Sequence, residues 1–195
     1  MTEVARNLIN ERAEIFADLL RSMVVTDLKG TELQGTEQIS AIKELFVDTQ
    51  ANSGNIFVIG NGGSAAVASH IVNDLFNAAG MRAYSLNDPS VLTCLANDYG
   101  YEHVFSRQIS GVAKRKDLLV AISSSGASPN VINAAQKMAE IGGKTLTLTG
   151  FDRRNCLRRM GDMNLWLNSS NYGLVEVGHL FVLHQVTDLI GEIQA

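Results

Sequence analysis

Proline and cysteine are scarce in this chain, two of each in 195 residues. Cys94 and Cys156 lack the CxxC spacing of a redox or zinc-knuckle motif, so they read as two ordinary thiols rather than a disulfide or half a metal site. Basic excess is missing too: the net charge is −4 and the pI near 5.5, which argues against general binding to nucleic acid or to anionic membranes. No apolar run approaches a membrane span. The N-terminal stretch MTEVARNLINERAEIF carries charges throughout, without the apolar centre of a signal peptide. The expectation is a soluble, cytoplasmic protein of one α/β domain, long enough to bury a real core. Internal repeats, low-complexity segments and the phosphate-loop pattern GxxxxGK[ST] are all absent.

What the chain does have is a strand that feeds a glycine-rich turn. Ile56, Phe57, Val58 and Ile59 form a buried-type β run, Gly60-Asn61-Gly62-Gly63-Ser64 a tight turn, and a helix follows directly. Strand, glycine loop and helix in that order present free N–H groups and a helix dipole to a phosphate. His70 and Asp74 stand four residues apart on the helix, hence on one face. Such a polar pair is costly to bury without a partner.

Helical spacing of Val4, Leu8, Ile15, Leu19, Leu20 and Met23 predicts a first helix over Thr2–Val25, and the polar stretch Thr26–Gly35 reads as a connector. Residues 1–35 thus form an N-terminal extension, whose apolar face has two destinations open to it, its own domain or a neighbouring subunit. Residues 36–195 form the main domain. Strands are expected at Asn55–Ile59, Arg82–Leu86, Leu118–Ser123, Lys144–Thr149 and Met163–Leu167, alternating with helices from Thr36, after Gly63, over Val91–Ala96, Tyr101–Val112, Pro129–Ile141 and Gly173–Ile193. Alternation of this kind, in nearly continuous apolar strands, indicates a doubly wound five-stranded parallel sheet covered on both faces. In an open sheet of order 2-1-3-4-5, ligands bind beyond the carboxyl ends of strands one and three. Both glycine/serine loops follow those two strands.

The second loop, Ser123 to Ser128, offers four hydroxyls and a helix start at Ser128-Pro129 but no lysine or arginine. Neutral donors and a helix dipole suit a phosphate dianion, and a turn that only capped a helix would need one serine, not four. The first loop also fits a relaxed dinucleotide fingerprint, Gly60-x-Gly62-x-x-Ala65. Asp88 is a poor ribose ligand between Asn87 and Pro89, and no length remains for a second domain, so no nucleotide cofactor is expected. Arg153, Arg154, Arg158 and Arg159 crowd one short loop, either as a solvated face or as a contact to substrate phosphate from the same or a neighbouring subunit.

GNGGSA, ANDYG with YEHVFSRQ, ISSSGASPN, TLTLTG and EVGHLFVLHQ, in this order, resemble the sugar isomerase (SIS) domain family over about Thr36–Ile190. The resemblance implies a flavodoxin-like doubly wound fold, a homotetramer with sites near subunit interfaces, and isomerisation of a ketose phosphate, sedoheptulose 7-phosphate or a close variant, to its aldose through an enediol. It implies that Ser123, Ser124, Ser125 and Ser128 hold the phosphate and that Asn61, Gly62, Ser64 and Asp98 contact the sugar. It implies that Asp74 and His184 are catalytic and that His70, Asp74, Glu176 and His184 hold zinc. His179 is expected to be a packed or interface residue.

Three positions depart from the family pattern. A catalytic glutamate is Asp74 here, a metal-ligand glutamine is Glu176, and a substrate-contacting aspartate falls at Gly173. Asp74 keeps the carboxylate but is one methylene shorter, and a misplacement of about 1 Å can cost on the order of a hundredfold in rate. Glu176 and His184, eight apart, lie about 80° from each other around a helix and so can face one cavity. A non-catalytic member of the family, binding a sugar phosphate or a protein partner as a regulator, is the competing reading. Such members lose the carboxylate that Asp74 retains.

Overall fold

A computed structural model describes residues 3–194, with side chains from 7 to 191. Thr2, the expected start of the first helix, and the side chain of Val4 lie outside the described residues. In chain order the elements are α1 (Glu3–Arg21), β1 (Val24–Asp27), α2 (Glu37–Ala51), β2 (Ile56–Ile59), α3 (Gly63–Asn77), β3 (Ala83–Ser85), α4 (Pro89–Tyr99), α5 (Val104–Val112), β4 (Leu118–Ser123), α6 (Pro129–Ile141), β5 (Lys144–Thr149), β6 (Met163–Trp166) and α7 (Tyr172–Gln194).

Six strands form one sheet in the order β1-β6-β5-β4-β2-β3. The five expected strands are all present and all parallel, in the expected order. The sixth, β1, is a difference from the sequence reading. Val24 to Asp27 pair antiparallel with Trp166 to Met163 at the sheet edge, where a helix end and a connector were expected. Val24-Val25-Thr26 is a β-branched run that packs well on a pleated surface, and Val25 is fully buried. Met23, at helical spacing from Leu19, disguised the boundary. Part of the N-terminal extension is therefore built into the sheet.

Successive side chains of a strand point to opposite faces, and the two cores follow that alternation. Ile56, Val58, Leu118, Val120, Ile122, Leu146 and Leu148 face Ile42 and Phe46 of α2, Ile71 and Leu75 of α3, and Val182 and Val186 of α7. Phe57, Ile59, Leu119 and Ala121 face Phe105 and Ile109 of α5 and Val131, Ala134 and Met138 of α6. The chain leaves β2 outward through α3 to β3, then returns to β4 on the other side of β2. That reversal leaves a crevice at the carboxyl ends of β2 and β4, where the two loops lie.

Candidate active site

The two loops are joined by a reciprocal amide pair. Asn61 Nδ2 donates to Asn130 Oδ1 and Asn130 Nδ2 to Asn61 Oδ1, each at 2.9 Å, while Tyr101 Oη donates to Asn61 Oδ1 at 3.0 Å. Asn130, almost wholly buried, also accepts the N–H of Val131 in the first turn of α6. Asn130 and Tyr101 went unread in the sequence. Asn130 follows Ser128-Pro129 directly, and a polar side chain in the first helical turn after a loop was the available signal.

Ser128 stands at the N-cap of α6, yet its hydroxyl does not cap the helix. It lies 3.1 Å from Ser123 Oγ instead. Ser124 is buried and its hydroxyl has no partner, while Ser125 Oγ receives only a long 3.3 Å bond from the Ala127 N–H. A buried hydroxyl left unpaired costs free energy unless a ligand satisfies it. Around these groups is a cavity of about 150 Å³ lined by Asn61, Ser64, Ser123, Ser124, Ser125, Ser128, Tyr172 and Glu176 among others. That space suits a phosphate, and falls short of the roughly 300 Å³ or more of a pocket that encloses a whole small ligand. Gly62, at φ +56°, gives α3 its sharp start. Tyr172 is a lining residue that sequence spacing did not single out.

Alongside α3 runs α7 in the same direction. Glu176 sits against Gly63 at the loop end, where a Cβ on Gly63 would strike its carboxylate. Further down, His184 meets the α3 pair: His184 Nδ1 is 3.1 Å from Asp74 Oδ2, His70 Nε2 is 3.5 Å from the same oxygen, and the two Nε2 atoms are 3.0 Å apart. Asp74 Oδ2 is buried, and neither contact is aligned as a hydrogen bond. One ligand atom from each of these three residues falls within 4.8 Å of the others. Of the four expected ligands, His70, Asp74 and His184 are brought together, and Glu176 stands apart at the loop end. Eight helical residues set Glu176 only about 80° around the helix from His184 but about 12 Å away along its axis.

Asp98 lies exposed on α4, its carboxylate engaged by Asn97 Nδ2 at 3.0 Å and by Cys94 Sγ at 3.6 Å on its own helix. It does not line the serine cavity. Gly173 is exposed at the start of α7. His179 is fully buried, its Nε2 bonded to the Thr149 carbonyl at 3.1 Å and its Nδ1 unpaired. Burial pushes its pKa down to about 4, opposed by the bond to Thr149. Cys94 and Cys156 are both free thiols on the surface, and no helix among the described residues is long and apolar enough to cross a membrane.

Comparison with known proteins agrees with this fold. Residues 22–150 match the family model described as SIS domain. The chain is 38% identical over 160 residues to a phosphoheptose isomerase of Helicobacter pylori strain P12, covering 79% of this chain and 83% of that one. It is 36% identical over 180 residues to a phosphoheptose isomerase of Geotalea daltonii, covering 88% and 93%. A solved phosphoheptose isomerase from Neisseria gonorrhoeae superposes with a TM-score of 0.74 at 32% identity, over 94% of this chain and 99% of that one. One from Francisella tularensis gives 0.83 over 98% and 100%, and at 23% identity its likeness is one of fold.

Proposed function

The chain belongs to the SIS domain family, with phosphoheptose isomerases as its relatives, and from that premise we propose that it is an aldose–ketose isomerase converting sedoheptulose 7-phosphate to D-glycero-D-manno-heptose 7-phosphate. The observation that carries the chemistry is Asp74 Oδ2, buried, without an aligned donor, and flanked by two imidazoles.

In this reading the phosphate rests on Ser123, Ser124, Ser125 and Ser128 at the mouth of α6, where the orphaned Ser124 hydroxyl finds its acceptor. Asn61, Gly62, Ser64 and Asp98 are assigned to the sugar, Asn61 with one amide hydrogen still free after its bond to Asn130. Substrate length fits the spacing along α3. From Gly63 to His70 is about 10 Å of helix, and side chains tilt back toward the N-terminus. An extended seven-carbon chain with a terminal phosphate reaches roughly 10 Å at about 1.5 Å per bond. Phosphate at the loop therefore brings C1 and C2 near His70.

Isomerisation removes a proton from C1 of the ketose while O2 gains one, giving the enediol; O1 then loses its proton and C2 gains one. We assign the C1/C2 transfer to the Asp74 carboxylate and the O1/O2 protons to His184, whose ring can donate from one nitrogen and accept at another. The donor set of His70, Asp74 and His184 also fits a divalent ion of the zinc type, with three protein ligands and an open position. When bound, zinc would polarise the substrate carbonyl as a Lewis acid. One carboxylate oxygen suffices for ligation, leaving the second for the proton.

The serine cavity is too small for the whole sugar, and the His70 and His184 side chains are partly open to solvent. We accordingly assign completion of the site to a neighbouring subunit of a homotetramer. The test is incubation of wild type and Asp74→Asn with sedoheptulose 7-phosphate in deuterated water, with and without zinc, followed by NMR. Wild type is expected to give the aldose phosphate with deuterium entering at C2, and Asp74→Asn to turn over at least ~100-fold more slowly while still binding the sugar phosphate. Near-wild-type turnover by Asp74→Asn would remove Asp74 from the mechanism. Binding without conversion or exchange by wild type in either condition would favour the regulator.

A further inference from the structure

A cavity of about 450 Å³ lies away from the serine loop, between the β1 turn and the arginine-rich segment after β5, in the size range of small-molecule pockets. Lys29, Arg153, Arg154, Arg158 and Arg159 line it, against the carboxylates of Asp27 and Glu32 only. This concentration of positive charge occurs in a protein of net charge −4. Two carboxylates against five cations offset it only in part. Asp27 accepts the N–H groups of Lys29 and Thr31 in its own turn, at 2.9 and 2.8 Å, and Glu32 pairs with Arg153. Arg154 has only a loose contact to Asp152 at 3.9 Å, and among the described residues no carboxylate pairs with Lys29, Arg158 or Arg159.

Two of the arginines are also held in place. Arg158 and Arg153 lie over the Trp166 ring, at 5.0 and 5.8 Å from its centre, and Arg158 Nη1 donates to the Arg153 carbonyl at 2.8 Å. Asn155, buried, ties the segment to Gly150 and to the Arg158 N–H. Two buried donors remain without an acceptor, Arg158 Nε and the nine-tenths-buried Trp166 Nε1. Guanidinium groups favour bidentate contact with phosphate oxygens, and Arg153 and Arg158 need little further ordering to make it.

We propose that this cavity is a second, non-catalytic anion site, which takes a small molecule carrying a diphosphate group. One phosphate would be too small to engage both the Lys29 wall and the arginine wall of 450 Å³. The site does not depend on the isomerase reading, since none of its residues lines the serine cavity or belongs to the His70 cluster.

Trp166 is the only tryptophan of the chain, and two arginines that line the cavity lie over its ring, so its emission senses their engagement by an anion. Inorganic pyrophosphate titrated into the full chain at low ionic strength is expected to change that emission saturably, with orthophosphate at least ~10-fold weaker and added salt weakening both. The double variant Arg154→Gln/Arg159→Gln removes two exposed side chains without touching the core and should weaken pyrophosphate at least ~10-fold. Lys29→Gln, on the opposite wall, should weaken it severalfold. A serine-loop variant, Ser125→Ala, should leave the affinity within about twofold. No saturable change in wild type overturns the proposal, as does equal affinity in the arginine variant. Loss of the signal in Ser125→Ala would place the anion at the serine loop and overturn it equally.

Discussion

An imidazole without access to water is a liability in acid, and His179 is the one fully buried histidine of this chain. Its folded pKa of about 4 lies below the ordinary 6.5. Between those values the unfolded chain takes up a proton that the folded chain refuses. Stability is therefore complete above about pH 6.5 and falls as the pH drops toward 4. Between pH 7.5 and 4.5 the loss from this residue should be about 2 to 3 kcal/mol. Urea unfolding of wild type and His179→Gln at both pH values checks this: the glutamine amide can still donate to the Thr149 carbonyl, and the variant should lose less stability on acidification by about that amount. Equal losses would mean that His179 protonates in place. At this scale the sequence spoke where spacing alone decides contact. His70 and Asp74, four apart on one helix, could be paired from their numbers. Spacing put Glu176 on the His184 face and about 12 Å from it along the axis, but which of the two meets His70 and which meets Gly63 depends on how α7 packs on α3.

Among the elements, the serine loop depends most on a neighbour distant in sequence. Gly126 turns at φ +62°, and a Cβ there would stand 1.9 Å from Asn155 Oδ1 and 2.8 Å from its Cβ. Its carbonyl accepts the Leu157 N–H at 3.1 Å, and the Ser124 carbonyl accepts the Gly150 N–H at 2.9 Å. The loop that offers hydroxyls to phosphate is thus braced by the segment that carries the arginines. Gly126→Ala combines left-handed backbone strain with a steric clash, and should destabilise the fold by about 1–3 kcal/mol. It should also raise KM for the sugar phosphate at least several-fold more than it lowers kcat, because the phosphate seat moves while the His70 cluster on α3 does not. Thermal denaturation and steady-state kinetics of the variant measure both. A lowered kcat with unchanged KM would show that the loop does not hold the substrate. Strand β1 makes the complementary point: Val24-Val25-Thr26 is short and adjoins a helix of matching period, so only its pairing with β6 reveals it.

The described surface of the single chain leaves large apolar side chains in water along two adjacent helices. Leu8 is 58% exposed and Ile15 49% on α1, and Val177 54% and Phe181 45% on α7, with Phe16 and Phe181 meeting edge to face at 6.1 Å. Scattered exposed apolar residues are ordinary, but a run of them along a packed helix pair marks an interaction surface. α1 packs on α7, the helix that carries Glu176 and His184, so a neighbour covering this surface would sit close to the partly open His70–Asp74–His184 cluster. Light scattering of the wild type is expected to give about four times the chain mass of 21.1 kDa. Leu8→Glu with Phe181→Glu should lower that mass and reduce kcat at least ~10-fold, since the site would be left without its outer wall, while the far-UV helical signal persists. A wild type of single-chain mass with full turnover would show that one chain completes the site alone. The five parallel strands were legible because strand and helix periods are local properties of the sequence, and their order came with the doubly wound pattern they imply. The assembly is legible only in part, because an amphipathic α1 reads the same whether it covers its own domain or a second copy, and only the folded chain shows which of its residues stay in water.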